Sequence, residues 1–213
     1  TVYFWMGKET CSPKLLDEFA CKSKYYFALI ESLSAEKQGD HSRALQALSN
    51  ALNVHPAGVF ARNFRAHLLT DMGMYPSAIR DFSLLLDRSE TGPRLFLERA
   101  EVYKRMGFFD QAALDAITAM NMGSESVYRD GVLFLHQMFK QIDDLESWVT
   151  TLESQQKNIP SSAVEACGLG LVYTYLQDQG KLEYWEKQFF DTYPDETIFC
   201  MQVIEDLKTL GNE

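Results

Sequence analysis

Apolar positions recur at helical spacing on both sides of three short polar breaks. Before the breaks, Phe64 and Leu68, and Phe96, Ala100 and Tyr103, fall three or four residues apart. After them, Ala44, Leu48, Ala51 and Leu52 repeat the spacing, as do Ala78, Phe82, Leu85 and Leu86. This period predicts paired amphipathic helices, not strands. The breaks are themselves periodic. Gly39, Gly73 and Gly107 stand 34 residues apart; each is followed two residues later by a ring (His41, Tyr75, Phe109) and five later by an alanine (Ala44, Ala78, Ala112). Glycine lets the chain turn with positive φ between two helices, and the alanines let those helices approach closely. One such hairpin cannot bury both its faces, so it is expected to stack on its neighbours.

The interval and these residues resemble the tetratricopeptide repeat family, whose unit is 34 residues long. The family's small eighth residue falls on Ser32, Ala66 and Ala100, and its alanine at the twentieth on Ala44, Ala78 and Ala112. Repeats are framed at 25–58, 59–92 and 93–126. The family's tryptophan at the fourth position is replaced by Ala28, Arg62 and Phe96, and Ala116 departs from the large residue at the twenty-fourth. The resemblance implies an all-α, right-handed solenoid of antiparallel helix pairs.

Flanking segments fit less regularly. Residues 127–139 and 143–157 read as a helix and its partner, Ser162 and Glu165 as a capping box opening another helix, and Gly180 as a further turn. Residues 127–194 thus form two degenerate hairpins, and 195–213 a capping helix with an acidic tail, its stripe made by Ile198, Met201, Ile204 and Leu207. Residues 1–24 hold the apolar run Val2–Met6 and a partial repeat helix, expected to pack against the first hairpin. Thr1 is not an initiator Met, as expected of a fragment, and no signal peptide is visible.

Composition supports the helical reading: 25 Leu and 17 Ala stand against 10 Val and 7 Ile. Residues 1–140 hold 16 acidic and 16 basic side chains, whereas 141–213 hold 14 acidic and 4 basic, which carries the whole net charge of −10. Such a balance argues against nucleic acid as partner, and no apolar run is long enough to span a membrane. Cys11, Cys21, Cys167 and Cys200 show no paired short spacing and are expected as free thiols in a reducing, cytoplasmic setting.

Catalytic chemistry is hard to find. Gly168 and Gly170 lack the third glycine and preceding strand of a phosphate loop. His41, His55, His67 and His136 have no partner at metal-ligand spacing. Asp143 and Asp144 are adjacent, so they point apart on a helix. No catalytic residue, metal or cofactor is expected.

In the resembled family the first helix of each hairpin lines a concave groove. Its groove positions carry over to Tyr26, Leu29, Leu33, Glu36 and Lys37; to Phe60, Asn63, His67, Thr70 and Asp71; to Arg94, Leu97, Glu101, Lys104 and Arg105; and to Tyr128, Gly131, Leu135, Met138 and Phe139. One subset of the family clamps the acidic C-terminal tails of chaperones. Leu29 and Leu33 stand where that clamp needs Lys and Asn, and Glu98 replaces its Arg, which argues against such a tail. The resemblance implies a non-enzymatic module that holds a partner's peptide or helix. The alternative is a structural subunit of a cytoskeletal or ciliary assembly, packed through its convex face and edges.

Overall fold

The computed structural model describes residues 15–87, 92–142, 145, 146, 150, 163–195 and 197–211. Every regular element among them is an α-helix. The chain divides into two compact units, residues 1–91 and 92–213.

The N-terminal unit contains α1 (Leu15–Lys37), α2 (His41–Val54), α3 (Val59–Asp71) and α4 (Tyr75–Leu86). α1 packs on α2, α2 on α3, and α3 on α4. The two hairpin turns are built alike. Gly39 and Gly73 have φ of +76° and +73°, the left-handed conformation that an L side chain disfavours. The Gly39 amide donates to Glu36 O (2.8 Å) and the next amide, Asp40, to Ala35 O (2.9 Å); Gly73 and Met74 repeat the pattern to Thr70 O (3.0 Å) and Leu69 O (2.8 Å). These bonds satisfy carbonyls left over at the helix end. The Asp40 carboxylate then caps α2 by accepting from the Arg43 amide at 3.0 Å.

Ala44 and Ala78 are buried where each hairpin closes. Around the first lie Tyr25, Ala28, Ala35, Leu48, Ala51 and Leu52, joined by Ala61 and Leu68 from α3. A Cβ on Gly58 would come within 2.6 Å of the Tyr25 ring, so glycine there lets α1 and the start of α3 meet. The Tyr25 hydroxyl accepts from the Ala61 amide at 3.4 Å across this joint. Inside the second hairpin, Asp81 is buried at 2% exposure and holds Arg65 at 2.7 and 2.8 Å and Arg62 at 3.1 Å.

The C-terminal unit contains α5 (Arg94–Arg105), α6 (Phe109–Met122), α7 (Glu125–Lys140), α8 (Ala163–Tyr175), α9 (Gln179–Thr192) and α10 (Thr197–Gly211). Gly107, at φ +77°, turns α5 into α6 with the same pair of bonds, to Lys104 O (3.0 Å) and Tyr103 O (2.9 Å). Arg99 grips the buried Asp115 at 2.7 and 2.8 Å, 34 residues on from the Arg65–Asp81 pair.

The turn between α8 and α9 differs from expectation. Gly180 is the second residue of α9, not a turn residue. Gln177 takes the left-handed position at φ +57°. Its amide donates to Thr174 O and that of Asp178 to Tyr173 O, both at 3.1 Å, while the Asp178 carboxylate caps Lys181 N at 3.0 Å. The register therefore shifts by three residues. Leu182, not Trp185, stands five residues after the turn. Gly170 falls at the family's small position, where a Cβ would come within 2.5 Å of the Trp185 ring.

α7 is enclosed. It packs on α6 and α10, while α8 packs on α6, α9 and α10. A regular array lets each repeat touch only its neighbours, so the contact of α8 with α6 and of α10 with α7 marks a local departure. The shared core runs from Ala112, Ile117 and Met120 through Leu135, Met138 and Phe139 to Leu171, Trp185, Val203, Ile204 and Leu207. Gly131 meets the Met120 side chain closely. Cys167 and Cys200, expected as free thiols, are joined as a disulfide with Cα atoms 5.6 Å apart. Their separation of 33 residues is close to one repeat, which sets them side by side on α8 and α10. The expected 143–157 helix, the Ser162 cap and the Val2–Met6 run lie wholly or largely outside the described residues.

Candidate functional site

The carried-over groove positions behave differently in the two units. On α1, Tyr26 and Leu33 are exposed at 46% and 47%, Leu29 is half-buried, and Glu36 and Lys37 reach solvent. On α3, Phe60 is exposed at 52%, His67 and Asp71 are exposed, and Asn63 is half-buried. Thr70 is buried instead, its hydroxyl donating to Ala66 O at 2.8 Å within its own helix. The Asn63 Oδ1 is buried and has no hydrogen-bond partner. His67 sets its ring edge-on to Phe82 at 5.4 Å. Tyr26 and Phe60 are chain neighbours of Tyr25 and Ala61, the two groups bonded at the joint between α1 and α3. Tyr26 lies midway along α1 and Phe60 in the first turn of α3.

In the C-terminal unit the same positions are already engaged. Arg94 Nη1 donates to Asp130 Oδ2 at 2.9 Å. Glu101 takes both Lys104 (2.6 Å) and Arg105 (3.1 Å), and the Lys104 ammonium also lies 4.9 Å from the centre of the Phe134 ring. Leu97 packs against the core. The Tyr128 hydroxyl donates to Asp206 Oδ2 of α10 at 2.8 Å, and its ring meets Phe199 edge-on at 6.1 Å. Burial, and then Asp206 as acceptor, push the Tyr128 hydroxyl well above its ordinary pKa, so it stays a donor. Gly131, Leu135, Met138 and Phe139, expected to line a groove, are buried in the core. The reason is tertiary: α8 and α10 pack where an open groove would leave them solvated.

Two buried groups were not legible as site residues. Burial raises the Asp115 carboxyl above its usual range although Arg99 opposes the shift. Burial, with a smaller push from Lys140, lowers His136; its Nδ1 is buried without a partner. The repeated Arg–Asp pairs have a sequence signal, a 16-residue spacing recurring after 34, but neither residue belongs to the repeat pattern. Among the described residues no three His, Cys, Asp or Glu side chains converge as metal ligands do, and no helix is long and apolar enough to cross a membrane.

No protein-family model and no curated protein sequence matches the chain. Solved structures do. The protein MamA superimposes with a TM-score of 0.51 at 16% identity, covering 84% of this chain and 96% of its own. A tetratricopeptide repeat protein from Parabacteroides merdae reaches 0.52 at 14% identity, over 87% of this chain and 72% of its own. With the paired helices and their glycine turns, this likeness shows that the chain has the tetratricopeptide-repeat fold.

Proposed function

We propose that the chain is a protein-binding module without a reaction centre of its own, and that a partner's apolar peptide or amphipathic helix docks on the first helices of the N-terminal unit. One observation carries this reading: Tyr26, Leu33 and Phe60 are exposed at positions that the family turns toward its ligands. Aromatic side chains make effective anchors because they bury much area for little lost entropy. The cations of the C-terminal unit suit this role poorly, since Arg94, Lys104 and Arg105 are each matched by a carboxylate of the chain itself.

Capture of partners on the immobilised chain at moderate salt, read by mass spectrometry, tests the assignment. Phe60→Asp is expected to lose the wild-type partner while keeping the wild-type circular dichroism spectrum. Undiminished recovery on a folded Phe60→Asp chain rejects it.

A second reading has its own support. Tyr184 on α9 and Met122 on α6 are 71% and 65% exposed, which suits packing of the second helices into an assembly such as a cytoskeletal or ciliary one. A subunit of that kind co-purifies with neighbours in fixed stoichiometry and keeps them when Phe60 is changed.

A further inference from the structure

α1 is apolar on two sides. Tyr25, Ala28, Ser32 and Ala35 face the core. On the other side Tyr26, Phe27, Ile30 and Leu33 are exposed at 46, 70, 65 and 47%. At about 100° per residue, Tyr26 and Leu33 form one flank of that arc, Phe27 the other, and Ile30 lies between. The Tyr26 flank belongs to the docking surface proposed above. The Phe27 flank does not, and no described helix of the unit covers it. Two of the most exposed large apolar side chains among the described residues thus sit within one turn of each other on the first described helix, an arrangement a soluble surface avoids.

We propose that this flank is the docking site for the chain's own segment Val2–Met6, folded back antiparallel along α1. Three features select this occupant. The segment is Val-Tyr-Phe-Trp-Met, five apolar side chains in a row, which match two exposed apolar ones in chemistry. Its tether is long enough: residues 7–14 separate Met6 from Leu15 and span up to about 28 Å. Phe27 and Ile30 lie only about 18 and 22 Å along the helix from Leu15. The tether also contains Gly7 and Pro13, residues that end helices and allow reversal. Docked there, the segment covers the Phe27 flank and leaves the Tyr26–Leu33 flank open to a partner.

Hydroxyl-radical footprinting with residue-level mass spectrometry tests this on the purified chain. Removing residues 1–7 is expected to raise the reactivity of Phe27 and Ile30 several-fold, with the monomer mass retained in light scattering. Phe27→Glu with Ile30→Glu, both surface changes, is expected to raise Trp5 reactivity to a similar degree. Phe60→Asp is expected to leave Trp5 unchanged, which keeps this inference separable from the groove assignment. Unaltered Phe27 reactivity on removal of residues 1–7 overturns the proposal. So does a dimer mass that persists without them, because a second copy is then the cover. A Trp5 response to Phe60→Asp also overturns it, since the segment then occupies the groove instead.

Discussion

The two units use one construction and finish it differently. Both close their hairpins with a left-handed residue and a buried small or leucine side chain five residues later, and each has one hairpin, α3–α4 or α5–α6, that holds a buried Arg–Asp pair. In the N-terminal unit the first helices keep aromatic side chains in solvent. In the C-terminal unit the helix at the corresponding place, α7, is wrapped by α6 and α10, and its family-groove positions become core. The lesson is that position within a repeat does not decide exposure. Leu33 and Leu135 occupy the same repeat position, yet one is 47% exposed and the other is at 0%. What differs is whether a later stretch of the chain returns to cover the face.

That pair of leucines offers the sharpest way to break the comparison. Leu135→Asp puts a charge in an apolar core and is expected to cost more than about 4 kcal/mol, enough to unfold the C-terminal unit. Leu33→Asp is expected to stay within about 0.5 kcal/mol. Urea unfolding followed by circular dichroism compares them, and equal losses would contradict the contrast in burial.

The next largest effect concerns the disulfide. Replacing Cys167 and Cys200 together by serine removes a loop constraint worth about 2–4 kcal/mol. The loss should appear in unfolding without reductant and vanish with it. A double variant as stable as the oxidised wild type would mean that the two thiols do not pair.

Turn residues give a smaller, signed pair. Gly39→Ala meets no atom within 4 Å, so its expected cost, about 1–2 kcal/mol, is that of the left-handed backbone alone. Gln177→Gly runs the other way, with an expected gain of up to about 1 kcal/mol as the same strain is relieved. Denaturation midpoints read both. A destabilised Gln177→Gly would place the turn elsewhere.

The smallest effect is one of pH. Burial holds His136 below its ordinary pKa of 6.5, so the unfolded chain takes up the proton first. Its contribution is complete above about pH 6.5 and declines as pH falls from there toward the lower folded value. His136→Gln should flatten that slope, measured by thermal melts across pH 5 to 8. An unchanged slope would assign the acid sensitivity to other groups.

The paired-helix fold is legible in the chain because a tight αα turn demands a residue that tolerates positive φ, and glycine at a 34-residue interval is a strong record of that demand. Where glutamine takes the role, the record is lost: Gly180, three residues beyond Gln177, draws the eye to a register that the hydrogen bonds do not follow. The α7 interior is not legible in this way: Leu135, Met138 and Phe139 carry over as groove positions, and the run Val132–Leu135 does not say which side is covered, since Leu133 is 46% exposed and Leu135 is buried. That α10 is one of the helices covering it is a tertiary fact with no local signature. The disulfide is hidden for the same reason, as a spacing of 33 acquires meaning only once the helices are stacked.

Panning a displayed library of amphipathic helical peptides against the chain, then mapping the enriched binders with two variants, tests the docking assignment most directly. Tyr26→Ala with Phe60→Asp is expected to weaken them at least about tenfold, the loss of a central anchor, while Arg94→Glu with Arg105→Glu is expected to leave them within about twofold. Binders that survive the first variant and are lost with the second would place the docking surface on the C-terminal unit and contradict the assignment.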